Sequence, residues 1–155
     1  MKKIKIGFVV NDLVVGGVAK VLISLSNNLN PELFDIHLLV LSNNIEMLKY
    51  LPLKNNVTLH CFEYRFDTNY SLISYLKNSF NYSSTFEKSV ELRKTIQTLQ
   101  LEILHFHTLP RQLVIGILAK KKNNRLKLIF TDHSNRIIPG DYNFYQHYLL
   151  AFSYR

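Results

Sequence analysis

The chain has 155 residues, of which 47% are hydrophobic and 19% are charged, and its formal net charge at pH 7 is +8. This length fits one domain, and the composition argues against a disordered chain and against a coiled coil. The excess of basic over acidic residues, 19 against 11, leaves three kinds of partner open: nucleic acid, an anionic membrane surface or phosphorylated small molecules.

The amino terminus has too short an apolar run for a secretion signal. Asn11 and Asp12 end the run Ile6–Val10, whereas a signal core uses roughly 7 to 15 apolar residues. No stretch approaches the roughly 18 apolar residues of a membrane-spanning helix. The single cysteine, Cys61, excludes an internal disulfide, and its apolar neighbours predict a buried, unreactive thiol. We therefore expect a cytoplasmic protein.

Strands and helices alternate in the first half of the chain. The apolar run that ends at Val10 predicts a strand buried on both faces. Gly16 and Gly17 then begin an amphipathic helix, which Asn30-Pro31 ends. The further predicted elements are a second strand at Phe34–Leu41, a short helix at Ile45–Leu51 and a third strand at Val57–Tyr64.

The same alternation continues in the second half. The predicted elements are a short helix at Leu72–Ser79, a helix at Thr85–Leu99, a strand at Glu102–Thr108, a helix from Pro110 to Leu118, a strand at Lys127–Thr131 and an aromatic helix within Asp141–Arg155. Continuous apolar strands that alternate with helices predict a doubly wound α/β domain with a parallel, Rossmann-like sheet.

Ligands of such a sheet bind beyond the carboxyl ends of its strands, where the strand order reverses. Gly16-Gly17 follows the first strand at the start of a helix, where backbone N–H groups can meet a phosphate. A tight turn that needs positive φ explains the pair equally well. The chain contains neither G-x-G-x-x-G nor G-x-x-x-x-G-K-[ST], which argues against a nicotinamide enzyme and a phosphate-loop NTPase.

Three histidines lie at or near this ligand edge. His105 and His107 are two residues apart on one strand and therefore share a face, and His107 is closer to the strand end. We expect His105 to be a core histidine that is hydrogen-bonded to backbone. His107 and His133 are candidates for the site, and Arg136 ends the donor-rich loop that follows the fifth strand. His37 and His60 lie in mid-strand and are expected to be structural.

Other chemistries find weaker support. The spacing of the histidines is too loose for a typical zinc site, so no metal is expected. Only Asp12 and Asp132 follow strand ends as a carboxylate pair for glycoside hydrolysis. The basic run from Lys120 to Lys127 follows a helix end, where a solvated cap is the simplest reading, and it matches no nucleic-acid-binding motif.

Three segments together resemble the amino-terminal half of retaining GT-B glycosyltransferases of the group 1, or family 4, class. They are Leu13–Leu22 (LVVGGVAKVL), Ile103–Thr108 (ILHFHT) and Ile129–Ser134 (IFTDHS). The resemblance implies an enzyme that moves a sugar from a nucleotide-sugar donor to an acceptor hydroxyl with retention of configuration. It also implies that residues 1–155 form one Rossmann-like domain, which stops before its last strand and a carboxyl-terminal donor domain.

The resemblance assigns roles to individual residues. Gly16 and Gly17 would approach the donor diphosphate, and His107 would be the catalytic residue that faces the transferred sugar. The acceptor-binding residues would be Asn11, Thr108, His133 and Arg136. The family often has a glutamate where this chain has Ala19, so the resemblance supports no acidic acceptor contact there.

The expected partners are a nucleotide-sugar donor and a glycan or lipid-linked acceptor, with no resident cofactor or metal and no nucleic acid. The basic charge also suits peripheral binding to the inner face of an anionic membrane. We expect the chain alone to be inactive and the whole protein to act in bacterial glycan or glycolipid synthesis. The alternative is a non-catalytic α/β module that binds membranes or anions through its basic surface.

Overall fold

Five parallel strands form one sheet in the computed structural model, which describes residues 2–62, 82–107, 117, 120 and 125–131, with the backbone alone at 82–89. The strand order is β3-β2-β1-β4-β5. The strands are β1 (Ile4–Val10), β2 (Phe34–Val40), β3 (Val57–Cys61), β4 (Ile103–Phe106) and β5 (Lys127–Phe130). Because β1 pairs with β2 on one side and β4 on the other, the order reverses at β1, and the switch point lies beyond the ends of β1 and β4.

Helices cover both faces of this sheet. On one face, α1 (Gly17–Asn28) buries Leu22 and Ile23 in a cluster that includes Phe8 of β1. On the opposite face, α2 (Tyr82–Leu99) buries Leu92 and Ile96 in a second cluster. We call these the α1 face and the α2 face. The predicted doubly wound α/β architecture is confirmed, because a parallel sheet carries helices on both sides.

The central strand is buried from Ile6 to Val10, as its continuous apolar run predicted. Gly7 faces α2, and a Cβ built on it would lie 2.8 Å from Leu101 Cδ1, 3.1 Å from Leu104 Cδ1 and 3.2 Å from Leu39 Cδ1. Close packing of these leucines against β1 therefore explains a glycine in mid-strand.

The predicted elements within the described residues are present, with shifted ends. β2 and β5 each end one residue earlier than predicted, and β4 begins one residue later than predicted and ends at Phe106, before His107. Of the residues predicted for β4, Thr108 lies outside the described part of the chain. The predicted short helix at 45–51 is a single 3₁₀ turn, Glu46–Lys49, and α2 begins at Tyr82 rather than Thr85. The predicted helices at 72–79 and within 141–155 lie outside the described residues, and so does most of the one at 110–118, of which only residue 117 is described, in a helix.

The prediction that Cys61 is buried is wrong, because its side chain is exposed. The hydrophobic pattern could not reveal that β3 is the edge strand of the sheet as described. The surrounding protein atoms still raise the pKa of the Cys61 thiol through partial desolvation. The thiol is therefore accessible but protonated at neutral pH.

Among the described residues, none of the helices combines the length and the apolar character that crossing a membrane requires.

Candidate functional site

The loop after β1 is fixed to the segment that follows β2. Leu13 is fully buried; its N–H donates to Asn44 O at 2.8 Å, and its carbonyl accepts a hydrogen bond from Met47 N at 2.7 Å. Val14 N lies 3.5 Å from Asp12 Oδ1, a long contact across a local turn. The loop therefore presents the start of α1 from a firmly anchored position.

Gly16 and Gly17 are at the start of α1, as predicted. Gly16 has φ 178° and ψ 172°, and no side chain caps the helix. This extended backbone contradicts the alternative of a turn that needs positive φ. A Cβ on Gly16 would find only Val14 O at 3.9 Å, and one on Gly17 would find nothing within 4 Å. Neither strain nor packing against the described residues explains the glycines, and their bare first-turn N–H groups leave room for a ligand to approach.

His107 follows β4 directly and lies beside the end of β1. Its N–H donates to Val9 O at 2.9 Å, so it extends the hydrogen bonding between these two strands by one residue. Its side chain is only 4% exposed, and its ring centroid is 5.9 Å from that of Phe8 on the α1 face. His107 and the start of α1 therefore share one edge and one face of the sheet, at the switch point.

His105 shares this face, as predicted, with its ring centroid 4.1 Å from that of His107. Its Nε2 lies 2.7 Å from Thr131 Oγ1, a side-chain partner that the prediction of a backbone hydrogen bond did not include. The sequence did not single out Thr131 as a hydrogen-bond partner of His105. The available signal was a hydroxyl at the end of a predicted strand, but which strand it would neighbour depended on the strand order.

Asn11 is the first residue after β1. Its carbonyl accepts a hydrogen bond from Ser42 N at 2.8 Å, which places it at the ligand edge as predicted. Its Oδ1 is buried, and within the described part of the chain no donor reaches it. A buried acceptor without a donor is costly, and such groups occur at functional sites. The other predicted acceptor-binding residues, Thr108, His133 and Arg136, lie outside the described residues, as does Asp132.

His37 and His60 form a separate pair on the α2 face. His37 Nδ1 lies 3.1 Å from His60 Nε2, and His37 Nε2 lies 3.5 Å from Asp35 Oδ1. Burial lowers the pKa of His37 more than the nearby Asp35 carboxylate raises it. Burial and the adjacent His37 lower the pKa of His60. The pair bridges β2 and β3, a position that suits the structural role expected of these mid-strand histidines.

Within residues 2–62, 90–107 and 125–131, no cluster of three or more His, Cys, Asp or Glu side chains could hold a metal ion. Because His133 lies outside these ranges, the expectation that the three histidines hold no metal stays a prediction.

The fold and the position of these residues define a doubly wound, Rossmann-like α/β domain with its candidate site at the sheet's switch point. This fold is shared with a glycosyltransferase from Rickettsia africae ESF-5, whose crystal structure superposes with a TM-score of 0.59 at 18% sequence identity. The match covers 90% of this chain and 32% of the rickettsial one, so the chain spans about a third of that enzyme. No family model and no curated protein matches the sequence.

Proposed function

We propose that the chain is the amino-terminal, acceptor-side domain of a retaining GT-B glycosyltransferase that uses a nucleotide-sugar donor. The observation that carries this proposal is the placement of the α1 start and His107 on one face at the switch point. The shared fold with a glycosyltransferase supports it at the level of architecture. The three resembling segments supply the α1 start, His107 and Thr131, so sequence and structure single out the same edge.

The chemistry follows from the groups at this edge. Transfer leaves negative charge on the departing diphosphate, and the first-turn N–H groups of α1 can stabilise that charge without reorganising. Gly16 and Gly17 let the phosphate oxygens approach because no Cβ intervenes. His107, which is buried beside Phe8, would face the transferred sugar and exclude water there. This mechanism assigns no step to a resident metal or cofactor.

On the acceptor side, we propose that Asn11, Thr108, His133 and Arg136 contact the glycan or lipid-linked acceptor. Asn11 contributes the one acceptor-side observation within the described residues, a buried Oδ1 that no described donor reaches. An acceptor hydroxyl could donate to this oxygen after a small movement of the side chain.

A graded series at Gly17 tests the donor site in the protein encoded by the whole gene. Gly17→Ala and Gly17→Val place side chains where the described chain leaves space, so both variants should fold. We expect Gly17→Val to raise the KM for the nucleotide sugar about tenfold, which corresponds to ~1.4 kcal/mol of lost binding. Gly17→Ala should fall between Gly17→Val and the unchanged protein.

Val21→Ala is the matched control, because Val21 is half exposed and lies one turn further from the helix start. The assay is release of labelled nucleotide from UDP- and GDP-linked hexoses, with transfer to glycan and lipid-linked acceptors. The proposal fails if the protein turns over none of these donors, or if Gly17→Val leaves the KM unchanged.

The alternative is a non-catalytic module that binds an anionic membrane, and one observation favours it. Val14, Val15, Val18 and Val21 are all exposed, and Val15 is 59% exposed. Together with the net charge of +8, this apolar stripe suits an anionic bilayer surface. Peripheral binding is also compatible with a transferase that acts on lipid-linked acceptors.

Vesicle sedimentation separates these cases. We expect binding to vesicles with anionic lipid at low salt, weaker binding at moderate salt, and none to neutral vesicles. The double variant Val15→Asp, Val21→Asp should lose binding if the stripe inserts. Binding without any turnover of nucleotide sugars would favour the module, whereas turnover excludes it as the sole function.

A further inference from the structure

The rings of Phe8, His105 and His107 form a compact group on the α1 face at the ends of β1 and β4. The centroid of His105 lies 4.1 Å from that of His107 and 5.6 Å from that of Phe8, with interplanar angles of 42° and 45°. His105 therefore packs directly on the candidate catalytic histidine and helps to set where its ring can lie.

The orientation of His105 is itself held from the neighbouring strand. Thr131 follows β5, and its N–H donates to Phe106 O at 2.9 Å, which fixes its backbone beside β4. Its hydroxyl lies 2.7 Å from His105 Nε2, at the short end of hydrogen-bond distances. Because threonine is branched at Cβ, few rotamers are open to it, and the hydroxyl is a stiff anchor.

We propose that His105 is a positioning residue, which the Thr131 hydroxyl locks in one ring orientation and which holds the His107 ring toward the ligand edge. The consequence for sugar transfer rests on the proposed function; the ring packing does not. A purely structural role for Thr131 would require only a β-branched side chain at the end of β5, and valine would supply that equally well.

Two substitutions distinguish these roles. Thr131→Val keeps the branched shape and removes the hydrogen bond, whereas Thr131→Ser keeps the hydroxyl and removes a methyl group. A third variant, His105→Phe, keeps an aromatic ring at position 105 and removes the bond to Thr131. Thermal unfolding of all three variants establishes which of them fold. Each folded variant is then compared with the unchanged protein in the two measurements below.

The first measurement is NMR of the protein with ¹⁵N-labelled histidine, and it needs no substrate. In the unchanged protein and in Thr131→Ser we expect a single His105 tautomer and a ring-to-ring Overhauser effect between His105 and His107. In Thr131→Val we expect the His105 nitrogen shifts to move toward a tautomer mixture and the Overhauser effect to disappear. His105→Phe lacks the same bond, so its ring contact with His107 should be lost as in Thr131→Val. The positioning role is overturned if Thr131→Val leaves both signals of His105 intact.

The second measurement is steady-state transfer by the protein encoded by the whole gene. We expect Thr131→Val to lower kcat about tenfold with little change in KM, since small displacements of an active-site group cost rate. Thr131→Ser should restore most of kcat. Ring signals that change without any sugar transfer support the positioning role and refute the proposed function. Transfer that Thr131→Val does not slow, despite altered ring signals, refutes the link between the two.

Discussion

At the residue scale, the three glycines that the structure describes, Gly7, Gly16 and Gly17, have different physical explanations. Gly7 is required by packing, because three leucine methyl groups occupy the space a Cβ would need. Gly16 and Gly17 face space that the described residues leave empty, at a helix start without a side-chain cap. The same residue type thus marks a tight core at one place and a candidate ligand approach at the other.

This difference predicts opposite effects of the same substitution on stability. Gly7→Ala should lower the free energy of unfolding by about 1–3 kcal/mol, because overpacking forces neighbouring side chains to move. Gly17→Ala should leave it unchanged or raise it by up to about 1 kcal/mol, because alanine favours the helix. Urea unfolding of the two variants measures both effects. Equal destabilisation by the two substitutions would contradict the packing argument.

At the element scale, the contact of His37 with His60 joins β2 to the edge strand β3. In the register of β2 and β3, His37 is opposite Thr58, and His60 is opposite Leu39. The two rings meet diagonally, where β-sheet side chains of one face can touch. Both rings are at least partly buried, and the pKa of each is lowered mainly by this burial.

The lowered pKa values predict loss of stability on mild acidification. The pKa of histidine in the unfolded chain is about 6.5, so just below that pH the unfolded state binds protons that the folded pair does not bind. The free energy of unfolding should therefore fall as the pH decreases from about 7 to about 5. His60→Gln removes one of the two titrating groups, so the stability of this variant should depend less steeply on pH. Parallel pH profiles for the two proteins, measured by urea unfolding, would refute this account.

The helices and strands could be predicted from the sequence better than the order and register in which the strands pair. The continuous apolar run of β1 indicated a central strand, and the step of two residues placed His105 and His107 on one face. The exposure of Cys61 and the bond from Thr131 to His105 depend on strand order and register, which hydrophobic periodicity does not contain. For the candidate site, the sequence indicated the edge of the sheet, and the fold determined which strand ends meet there.

At the scale of the whole molecule, the described strands bring two remote segments together. Residues 11–17 and residue 107 are about ninety positions apart in sequence, yet β1 and β4 are adjacent and parallel. A site at this junction borders one edge of the sheet and needs a second surface to enclose a ligand. The rickettsial glycosyltransferase with this fold is about three times the length of the matched region.

This geometry predicts that the 155-residue chain folds but does not transfer sugar above background. The described edge offers helix N–H groups and imidazole rings, which can stabilise a departing diphosphate only in part, and cationic groups from the rest of an enzyme would complete that stabilisation. Circular dichroism and cooperative unfolding would establish that the chain folds. Labelled transfer from UDP- and GDP-linked hexoses would then measure its activity against that of any longer protein that the gene encodes. Robust transfer by the isolated chain would show that one sheet edge is sufficient for catalysis. The proposal that two domains share the catalytic groups would then have to be abandoned.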